Sequence, residues 1–480
     1  MLFNSIDFLF FFPLVVLVYL IVPRKIRYIW VLIASYYFYM SWNPRYIVLI
    51  LFSTLVTWLG GLLIEKTISQ KRKKLYVVIS IALNLLVLTV FKYSDFLINS
   101  LEKIIKFHGM KHAIFHLDLV LPVGISFYTF QAISYVIDVY RGNSRAERNV
   151  IKYALFVSFF PQLVAGPIER TNNLMPQIDD MDRIEVWNYE QIRDGLMLMM
   201  WGLFQKLVLA DRVAMLVNEI YDNYAEHGYG ALEIAIATVF FAIQIYCDFS
   251  AYSDIARGAA GVMGISLSKN FRQPYLASDI RGFWRRWHIS LTSWFTDYLY
   301  IPLGGNRKGK KRKYINTIVV FLCSGLWHGA GWNYVIWGGL HGIYLVIEDL
   351  LGKFHGKRNA FTAMVKRGVS LGLICFAWLF FRAKSVGQAF GMIIQSMHVW
   401  SFRGYGLGLN RNEIIIALVA IIVILCVDLI REKKGSMFTL INNSSIIIRW
   451  MLYLGVFWVT LLFGVYGIDY KASEFIYFQF

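Results

Sequence analysis

Long apolar runs separated by short polar segments are the dominant pattern of the chain. The clearest runs are residues 8–22, 28–42, 46–64, 75–91, 368–381, 414–427 and 446–468, and residues 389–400 form a mixed segment. A helix needs about 20 apolar residues to cross the roughly 30 Å hydrocarbon layer of a bilayer. Allowing for short, broken or re-entrant helices between them, the pattern predicts an all-α, polytopic integral membrane protein with about eleven or twelve crossings.

Three segments depart from this simple pattern. Residues 93–109 mix apolar and charged positions, as an amphipathic helix at the membrane interface does. The run 121–141 is studded with polar side chains, so it is predicted to face protein or a cavity. Residues 149–166 end in FFPQLVAGP, where two residue types that interrupt helices predict a broken or re-entrant helix.

Composition strengthens the membrane assignment. Hydrophobic residues make up 58% of the 480 positions and charged residues 16%, and the mean hydropathy is +0.52. A soluble domain of this length cannot bury so much apolar surface. The formal net charge of +18 does not indicate a nucleic-acid partner, because the basic residues lie in short clusters between apolar runs rather than on one basic face.

The basic clusters also predict an orientation. They lie at residues 24–27, 71–74, 306–313 and 431–434, and the positive-inside rule places such clusters in the cytosol. The first apolar run has no basic segment before it and no small-residue cleavage site after it, so it is predicted to be a retained span. No repeat, linker or low-complexity tract divides the chain, and residues 1–480 are predicted to form a single membrane domain.

Several kinds of site find little support. The cysteines stand singly, at Cys247, Cys323, Cys375 and Cys426, which favours neither a disulfide framework nor a CxxC site. His108, His112 and His116 recur at steps of four, but Gly109 interrupts the helix that would align them, so an ordinary loop is favoured over a zinc site. Serine-elbow, Walker, HExxH and dinucleotide motifs are missing from the sequence. No metal and no permanently bound cofactor are predicted.

Two polar groups lie within helical patterns. Lys206 is followed by Asp211 at about one helical turn, which predicts either an ion pair or a lysine that snorkels toward the interface. Asp248, Asp254 and Arg257 lie in one later segment, and the last two can pair at a spacing of three. A structural ion network is favoured for that segment over direct catalysis, since paired networks also perturb titration.

The stretch from 283 to 342 carries the candidate chemistry. It reads FWRRWHISLTSWFTDYLYIPLGG, then the basic run NRKGKKRKY, then INTIVVFLCSGLWHGAGWNYVIWGGLHG. If a helix begins at Tyr314, His328 lies about 21 Å along it, past the middle of the hydrocarbon layer. Gly325, Gly329 and Gly331 would let a substrate or another helix approach the ring. A titratable group at that depth is costly, so His328 is predicted to be functional.

Acyl transfer is the simplest chemistry for such a histidine. A neutral imidazole can accept the proton of a hydroxyl that attacks an acyl carbon. The position of His288 agrees equally well with two roles, a residue of the site and an interfacial histidine held by tryptophans. Beside it, Trp284, Arg285 and Arg286 are candidates for holding the phosphates of a nucleotide-bearing thioester donor. For His341, in GGLHGIY, a packed and hydrogen-bonded role is favoured.

Six ordered blocks of sequence resemble the membrane-bound O-acyltransferase family, within its bacterial alginate O-acetyltransferase branch. The blocks are LPVGISFYTFQAISYVIDVYRG (121–142), FFPQLVAGPIER (159–170), QIYCDFSAYSDIARG (244–258), FWRRWHISLTSWFTDYLYIPLGGNRKG (283–309), GLWHGAGWNYVIWGGLHG (325–342) and FIYFQF (475–480). The resemblance implies many membrane helices around a central funnel or tunnel, with a funnel from each face of the membrane meeting at a histidine. It also implies that His328 is the catalytic base and that His288 is a second site residue.

The same resemblance implies a donor, partners and a location. The donor would be cytosolic acetyl-CoA, and the acetyl group would pass through an accessory extracytoplasmic protein to hydroxyls of a polysaccharide. The expected location is the bacterial cytoplasmic membrane, with the lipid bilayer around the chain. Two alternatives stay open: D-alanyl transfer from a carrier-protein thioester to teichoic acid, which uses the same layout, and a transporter or channel without chemistry, which polar spans and broken helices also suit.

Overall fold

The computed structural model describes residues 1–107, 119–164, 166–352, 360–400 and 407–466. Throughout these ranges the regular elements are helices and no strand occurs, so the predicted all-α class is confirmed. His108, His112, His116 and the terminal block 475–480 lie outside the described residues.

The chain divides into two compact units. The first comprises Met1–Leu196 and Ala256–Ser268, and the second comprises Met197–Ile255 and Lys269–Phe480. The single domain predicted over residues 1–480 stays a prediction.

Eight helices precede residue 180 and belong to the first unit. They are α1 (Ile6–Ile21), α2 (Arg27–Met40), α3 (Ile47–Lys66), α4 (Gln70–Phe107), α5 (Ile125–Arg141), α6 (Val150–Ser158), α7 (Phe160–Leu163) and α8 (Thr171–Asp179). The polar run predicted to face protein is α5, and 14 of its 17 residues are buried. That prediction is therefore confirmed, because lipid-facing helices bury only one side.

The later helices include those that carry the candidate chemistry. They are α9 (Tyr189–Leu203), α10 (Asp211–His227), α11 (Ala231–Val262), α12 (Ile280–Trp284), α13 (Ile289–Phe295), α14 (Gly309–His328), α15 (Trp332–Leu351), α16 (Ala360–Arg382), α17 (Val386–His398), α18 (Arg411–Lys434), α19 (Met437–Asn442) and α20 (Ile446–Phe463). Helix ends follow local signals: α18 begins with a capping box, in which Asn410 and Glu413 each bind the other's backbone N–H, as such sequences do.

Seven helices of the described chain are long and apolar enough to cross a membrane. They are Pro44–Lys66, Gln70–Glu102, Ala231–Val262, Trp332–Leu351, Phe361–Arg382, Arg411–Lys434 and Ile446–Phe463. Length and composition alone define this set, and shorter helices such as α1 can add to it. The protein is a multi-pass membrane protein, and the larger count of eleven or twelve crossings stays a prediction.

Helix α4 corrects one prediction. The interfacial helix expected over 93–109 is not separate, because α4 runs without interruption from Gln70 to Phe107 over 38 residues. At 1.5 Å per residue it is roughly 57 Å long, well beyond the roughly 30 Å hydrocarbon layer. Charged positions after residue 91 therefore continue a spanning helix rather than begin a new one.

The break predicted in 149–166 is confirmed. Helix α6 ends at Ser158, Phe159 leaves the helical conformation with ψ 109°, and α7 begins at Phe160. The backbone N–H of Phe160 donates to the Ser35 hydroxyl at 3.1 Å. This bond replaces a lost helical one, as buried irregular backbone requires.

A buried ion cluster confirms the pair predicted for Lys206. This lysine lies in a seven-residue π-helical segment, Phe204–Ala210, between α9 and α10. Its ammonium lies 2.8 Å from Asp211 and 2.7 Å from Asp248 of α11. All three side chains are at most 4% exposed. Asp248 thus belongs to a structural ion network, the role favoured for its segment.

Helices α14 and α15 form a tight antiparallel hairpin. Only Gly329, Ala330 and Gly331 connect them. A Cβ at Gly325 would overlap the carbonyl oxygen of Tyr334, and one at Gly338 would overlap that of Phe321. Glycine lets two helix backbones approach this closely. Of the two uses predicted for the glycines near His328, close approach of another helix is the one observed.

Candidate active site

His328 is the last residue of α14 and sits at the tip of the hairpin. Its ring is 3% exposed. The surrounding ring centroids lie 4.9 Å away for Trp327, 5.0 Å for Trp337 and 5.4 Å for Phe381. A cage of aromatic rings excludes bulk water and strengthens electrostatic interactions of the imidazole with any group that reaches it.

His288 lies beside this cage, and its backbone is unusual. It has φ +43°, a left-handed conformation that non-glycine residues seldom adopt. The ring is fully buried, packs edge-on against Phe249 at 4.6 Å, and lies 6.3 Å from the His328 ring. The structure therefore brings together the two histidines that the sequence singled out.

The backbone around His288 is held by a neighbouring segment. Ile289 N–H donates to the Asn270 carbonyl at 2.9 Å, and Arg272 N–H donates to the Arg286 carbonyl at 3.0 Å. The Ser290 hydroxyl donates to the Asn270 side-chain oxygen at 2.6 Å. These bonds hold the strained residue in place, since strain persists only where the surroundings over-determine it.

Burial also sets the charge state of His288. This residue lies between α12 and α13, outside the seven candidate spans, and burial lowers its pKa to about 3. Burial acts in this direction because a low-dielectric environment disfavours the imidazolium. His288 is therefore neutral around pH 7 and able to donate one hydrogen bond and accept another.

His341 has the packed, hydrogen-bonded position predicted for it. Its ring is fully buried, and its Nδ1 accepts a hydrogen bond of 3.2 Å from the Trp284 indole N–H. Its centroid lies 5.1 Å from that of Trp337, which also touches His328. His341 therefore supports the wall of the aromatic cage.

A cavity of about 440 Å³ lies in the second unit, within the size range of small-molecule sites. It is mostly apolar and is lined by parts of α12 to α15 and the segment between α13 and α14. The polar and charged side chains in the lining are Arg281, Arg285, Thr292, Thr296, Tyr300, Asn306, Lys313, Tyr314, Thr317, Ser324 and Asp349. Several cations at one cavity suit a ligand with phosphate groups.

One face of α14 carries lining residues of this cavity and also the histidine, which is not itself part of the lining. Lys313, Thr317 and Ser324 line the cavity, and His328 follows at the next step of four. Residues at spacings of three and four share a helix face. About 22 Å of helix separates Lys313 from His328, and the last turn lies among the aromatic rings of the cage.

The three predicted donor-binding residues are placed differently. Trp284 and Arg285 line the cavity. Arg286 is not part of the lining, and its guanidinium forms two hydrogen bonds, of 3.0 and 2.9 Å, with the Glu432 carboxylate. A role in donor binding stays a prediction for all three, with the geometry in favour of the first two.

Sequence reasoning missed Arg281 and Asp349, which also line the cavity. The sequence does contain a signal for this pair. Residues at about equal distances before and after the connection at 329–331 face one another in a helical hairpin. Lys313 and Asp349 are 16 residues before and 18 residues after that connection, and their side chains touch. Treating the GAG tripeptide as a turn would have identified the pair.

Comparisons with known proteins agree with this arrangement. A sequence profile described as MBOAT, membrane-bound O-acyltransferase family, matches residues 144–387. The chain is 34% identical to "Probable alginate O-acetylase AlgI" of Pseudomonas putida, with 100% of both chains covered. It is 36% identical to "Peptidoglycan O-acetyltransferase" of Helicobacter pylori over 81% of this chain and 78% of the relative. It is 25% identical to "Teichoic acid D-alanyltransferase" of Bacillus subtilis over 56% and 70%, respectively.

These matches extend beyond a short motif. The profile covers α6 to α16 and thereby both histidines of the cage, and the Pseudomonas relative aligns along the full length. A multi-pass helical fold, a buried pair of histidines and full-length similarity to O-acetyl-transferring proteins lead to the same result. The chain belongs to the membrane-bound O-acyltransferase family and is a multi-pass membrane O-acyltransferase.

Proposed function

We propose that this enzyme moves an acetyl group from cytosolic acetyl-CoA to hydroxyls of an extracytoplasmic polysaccharide. An accessory extracytoplasmic protein would carry the group to the polymer, and the enzyme would reside in the bacterial cytoplasmic membrane. Two relatives support the acetyl group and the class of acceptor. Both are named for O-acetylation, and their names give alginate and peptidoglycan as the acceptors.

The observation that carries this proposal is the α14 face. Cations stand at one end of the face and His328 stands at the other. A thioester donor has the same order of groups, because its phosphates are separated from its acyl carbon by an extended arm. A donor bound with its phosphates near Lys313 would direct its acyl group along the face toward the imidazole.

The chemistry follows from an imidazole enclosed by aromatic rings. His328 accepts the proton of the acceptor hydroxyl as its oxygen attacks the thioester carbonyl, and a new C–O bond forms. The C–S bond then breaks, and the proton on the imidazole passes to the departing thiolate. General base catalysis of this kind contributes about 10²- to 10⁴-fold to a rate. His288, neutral and 6.3 Å away, is suited to orient the hydroxyl or the thioester oxygen.

D-alanyl transfer to teichoic acid is the second candidate. Similarity to the Bacillus relative supports it, although at 25% identity over 56% of this chain. The two functions differ in the donor, which is coenzyme A in one and a carrier protein in the other. Supplying purified enzyme with each labelled thioester in turn separates them.

The decisive experiment uses purified enzyme, acetyl-CoA labelled in the acetyl group, the accessory extracytoplasmic protein and a polysaccharide acceptor. We expect His328→Ala and His328→Gln to lower transfer of label by 10²- to 10⁴-fold, with melting temperatures near that of the parent. His227→Ala is the matched control, because His227 is exposed and pairs with Glu219. Equal turnover in the two His328 variants would remove this residue from the mechanism. Binding of acetyl-CoA without loss of label would favour a transporter.

A further inference from the structure

Asp349 is the one carboxylate among the described residues that line the cavity, and it faces the cations there. Its Oδ1 lies 2.7 Å from the Lys313 ammonium and 3.1 Å from Nη2 of Arg281. Two of the three cationic side chains of the lining are therefore already paired. The third, Arg285, also lines the cavity.

The hairpin and α12 fix this arrangement. Lys313 lies on α14 and Asp349 lies on α15, so their pairing follows from the antiparallel packing of the two helices. The neighbouring Glu348 accepts hydrogen bonds from the backbone N–H groups of Ile280 and Arg281, at 2.8 and 3.3 Å. Glu348 thus anchors the first turn of α12 to α15 and brings Arg281 within reach of Asp349.

A carboxylate at this position opposes the binding of an anion. A phosphate group that pairs with Arg281 or Lys313 must share or displace the Asp349 carboxylate, and it meets the repulsion of a like charge a few ångströms away. The side chains of Lys313 and Asp349 are 27% and 22% exposed, so solvent screens the repulsion in part. The effect on affinity is then moderate rather than absolute.

We propose that Asp349 is an internal competitor for the donor's phosphates, which weakens binding of the thioester donor and of the thiol product to the cavity. When donor binds, its phosphates take Arg281 and Lys313 from the carboxylate. When the thiol product leaves, Asp349 pairs with both cations again and thereby favours its departure. The inference rests on the proposed function, in which this cavity receives a phosphate-bearing thioester.

The test measures binding of coenzyme A, and separately of pantetheine, to the purified full-length protein. Pantetheine has the thiol arm without phosphates. We expect Asp349→Asn to tighten coenzyme A binding about 3- to 10-fold, with a steeper dependence on salt, because one opposing charge is gone. Pantetheine binding should be unchanged. Lys313→Gln should weaken coenzyme A binding by a similar factor, and it provides a second test if Asp349→Asn lowers the yield of folded protein.

Asp179→Asn is the matched control. Asp179 also pairs with a lysine, Lys152 at 2.8 Å, and the variant changes the net charge by the same amount, but Asp179 does not line the cavity. Coenzyme A affinity that is unchanged or weaker in Asp349→Asn, or that rises equally in Asp179→Asn, would overturn the inference. Coenzyme A binding to neither the parent nor Asp349→Asn would overturn it together with the donor assignment.

A parallel assay with labelled acetyl-CoA keeps the two proposals apart. Suppose that Asp349→Asn binds coenzyme A more tightly but the parent shows no His328-dependent loss of label. This result would refute acetyl transfer, while Asp349 would keep its role as a competitor for the phosphates. Normal transfer with unchanged coenzyme A affinity would do the reverse. In an active enzyme, Asp349→Asn should lower the KM for acetyl-CoA by the same 3- to 10-fold.

Discussion

His288 shows how one residue can combine strain, burial and neutrality. Its left-handed backbone and its fully buried ring both oppose folding, so the contacts around it must offset them. Residues under such local cost are concentrated at functional sites. Its place next to His328 is consistent with that rule.

The lowered pKa of His288 predicts a pH-dependent stability. The imidazole has its ordinary pKa of about 6.5 in the unfolded chain, and burial lowers the pKa to about 3 in the folded chain. Between these values the unfolded chain binds more protons, so stability is fully present above about pH 6.5 and falls as the pH is lowered. The loss at pH 5 amounts to about 2 kcal/mol.

Thermal unfolding of the parent and of His288→Asn between pH 7.5 and 4.5 measures this effect. Asparagine tolerates the left-handed conformation better than most residues and does not titrate in this range. The melting temperature of the parent should fall more than that of the variant as the pH is lowered. Parallel pH profiles for the two proteins would contradict the lowered pKa.

The residues of the site differ in how far the sequence revealed them. His328 was identified because a titratable group deep in an apolar run is unusual in itself. Trp337 and Phe381, which touch the His328 ring, look like any other apolar residues in their helices. The left-handed backbone of His288 also had no signal, since neither glycine nor asparagine marks the position. Contacts between distant segments decide these features.

At the scale of elements, the α14–α15 hairpin sets the position of the imidazole. Gly338→Ala should therefore drive the helices apart, because the new methyl group would overlap the Phe321 carbonyl. Overpacking of this kind costs about 1–3 kcal/mol. We expect a lower melting temperature and a loss of acyl transfer, since catalytic geometry tolerates little displacement.

Gly339→Ala is the matched control for this prediction. A Cβ at Gly339 would lie 3.5 Å from the nearest atom, in the side chain of Leu322, which is an ordinary contact. This variant should keep the parent's melting temperature and activity. If the two alanine variants behave alike, the close approach at Gly338 is not what holds the hairpin.

Helix interruptions were easier to predict than helix continuations. Proline and glycine marked the break between α6 and α7, and the break is observed at Phe159. Charged residues after position 91 predict a change from a spanning to an interfacial helix, yet α4 continues to Phe107. Charged residues such as Lys and Glu do not end a helix by themselves, because both are good helix formers.

At the scale of the whole molecule, the basic clusters predict which loops face the cytosol. We expect Lys308→Cys to react with a membrane-impermeant maleimide only from the cytosolic side, and Arg45→Cys only from the outside. Both positions are exposed. The apolar run 28–42 separates Arg45 from the cytosolic cluster at 24–27, so Arg45 is predicted to lie outside. Labelling of intact cells and of inverted membrane vesicles provides the measurement.

The unaltered chain controls for its four cysteines in that experiment. Reaction of both introduced cysteines from the same side would invalidate the predicted orientation. Reaction of Lys308→Cys from the outside would also place the cations of the cavity opposite to the pool of coenzyme A, and the proposed donor would then have to change.

The position of His328 at the end of α14 has a consequence for how the family can vary. Close contacts at Gly325 and Gly338 fix how α14 and α15 align, and Gly325 is three residues before His328. One residue inserted between Gly325 and His328 would turn the ring by about 100° around the helix axis. The same insertion in the basic segment 306–308 would add only loop length, which surfaces tolerate. Natural and engineered length changes should therefore accumulate in that segment, while the four residues Gly325–His328 keep a constant count.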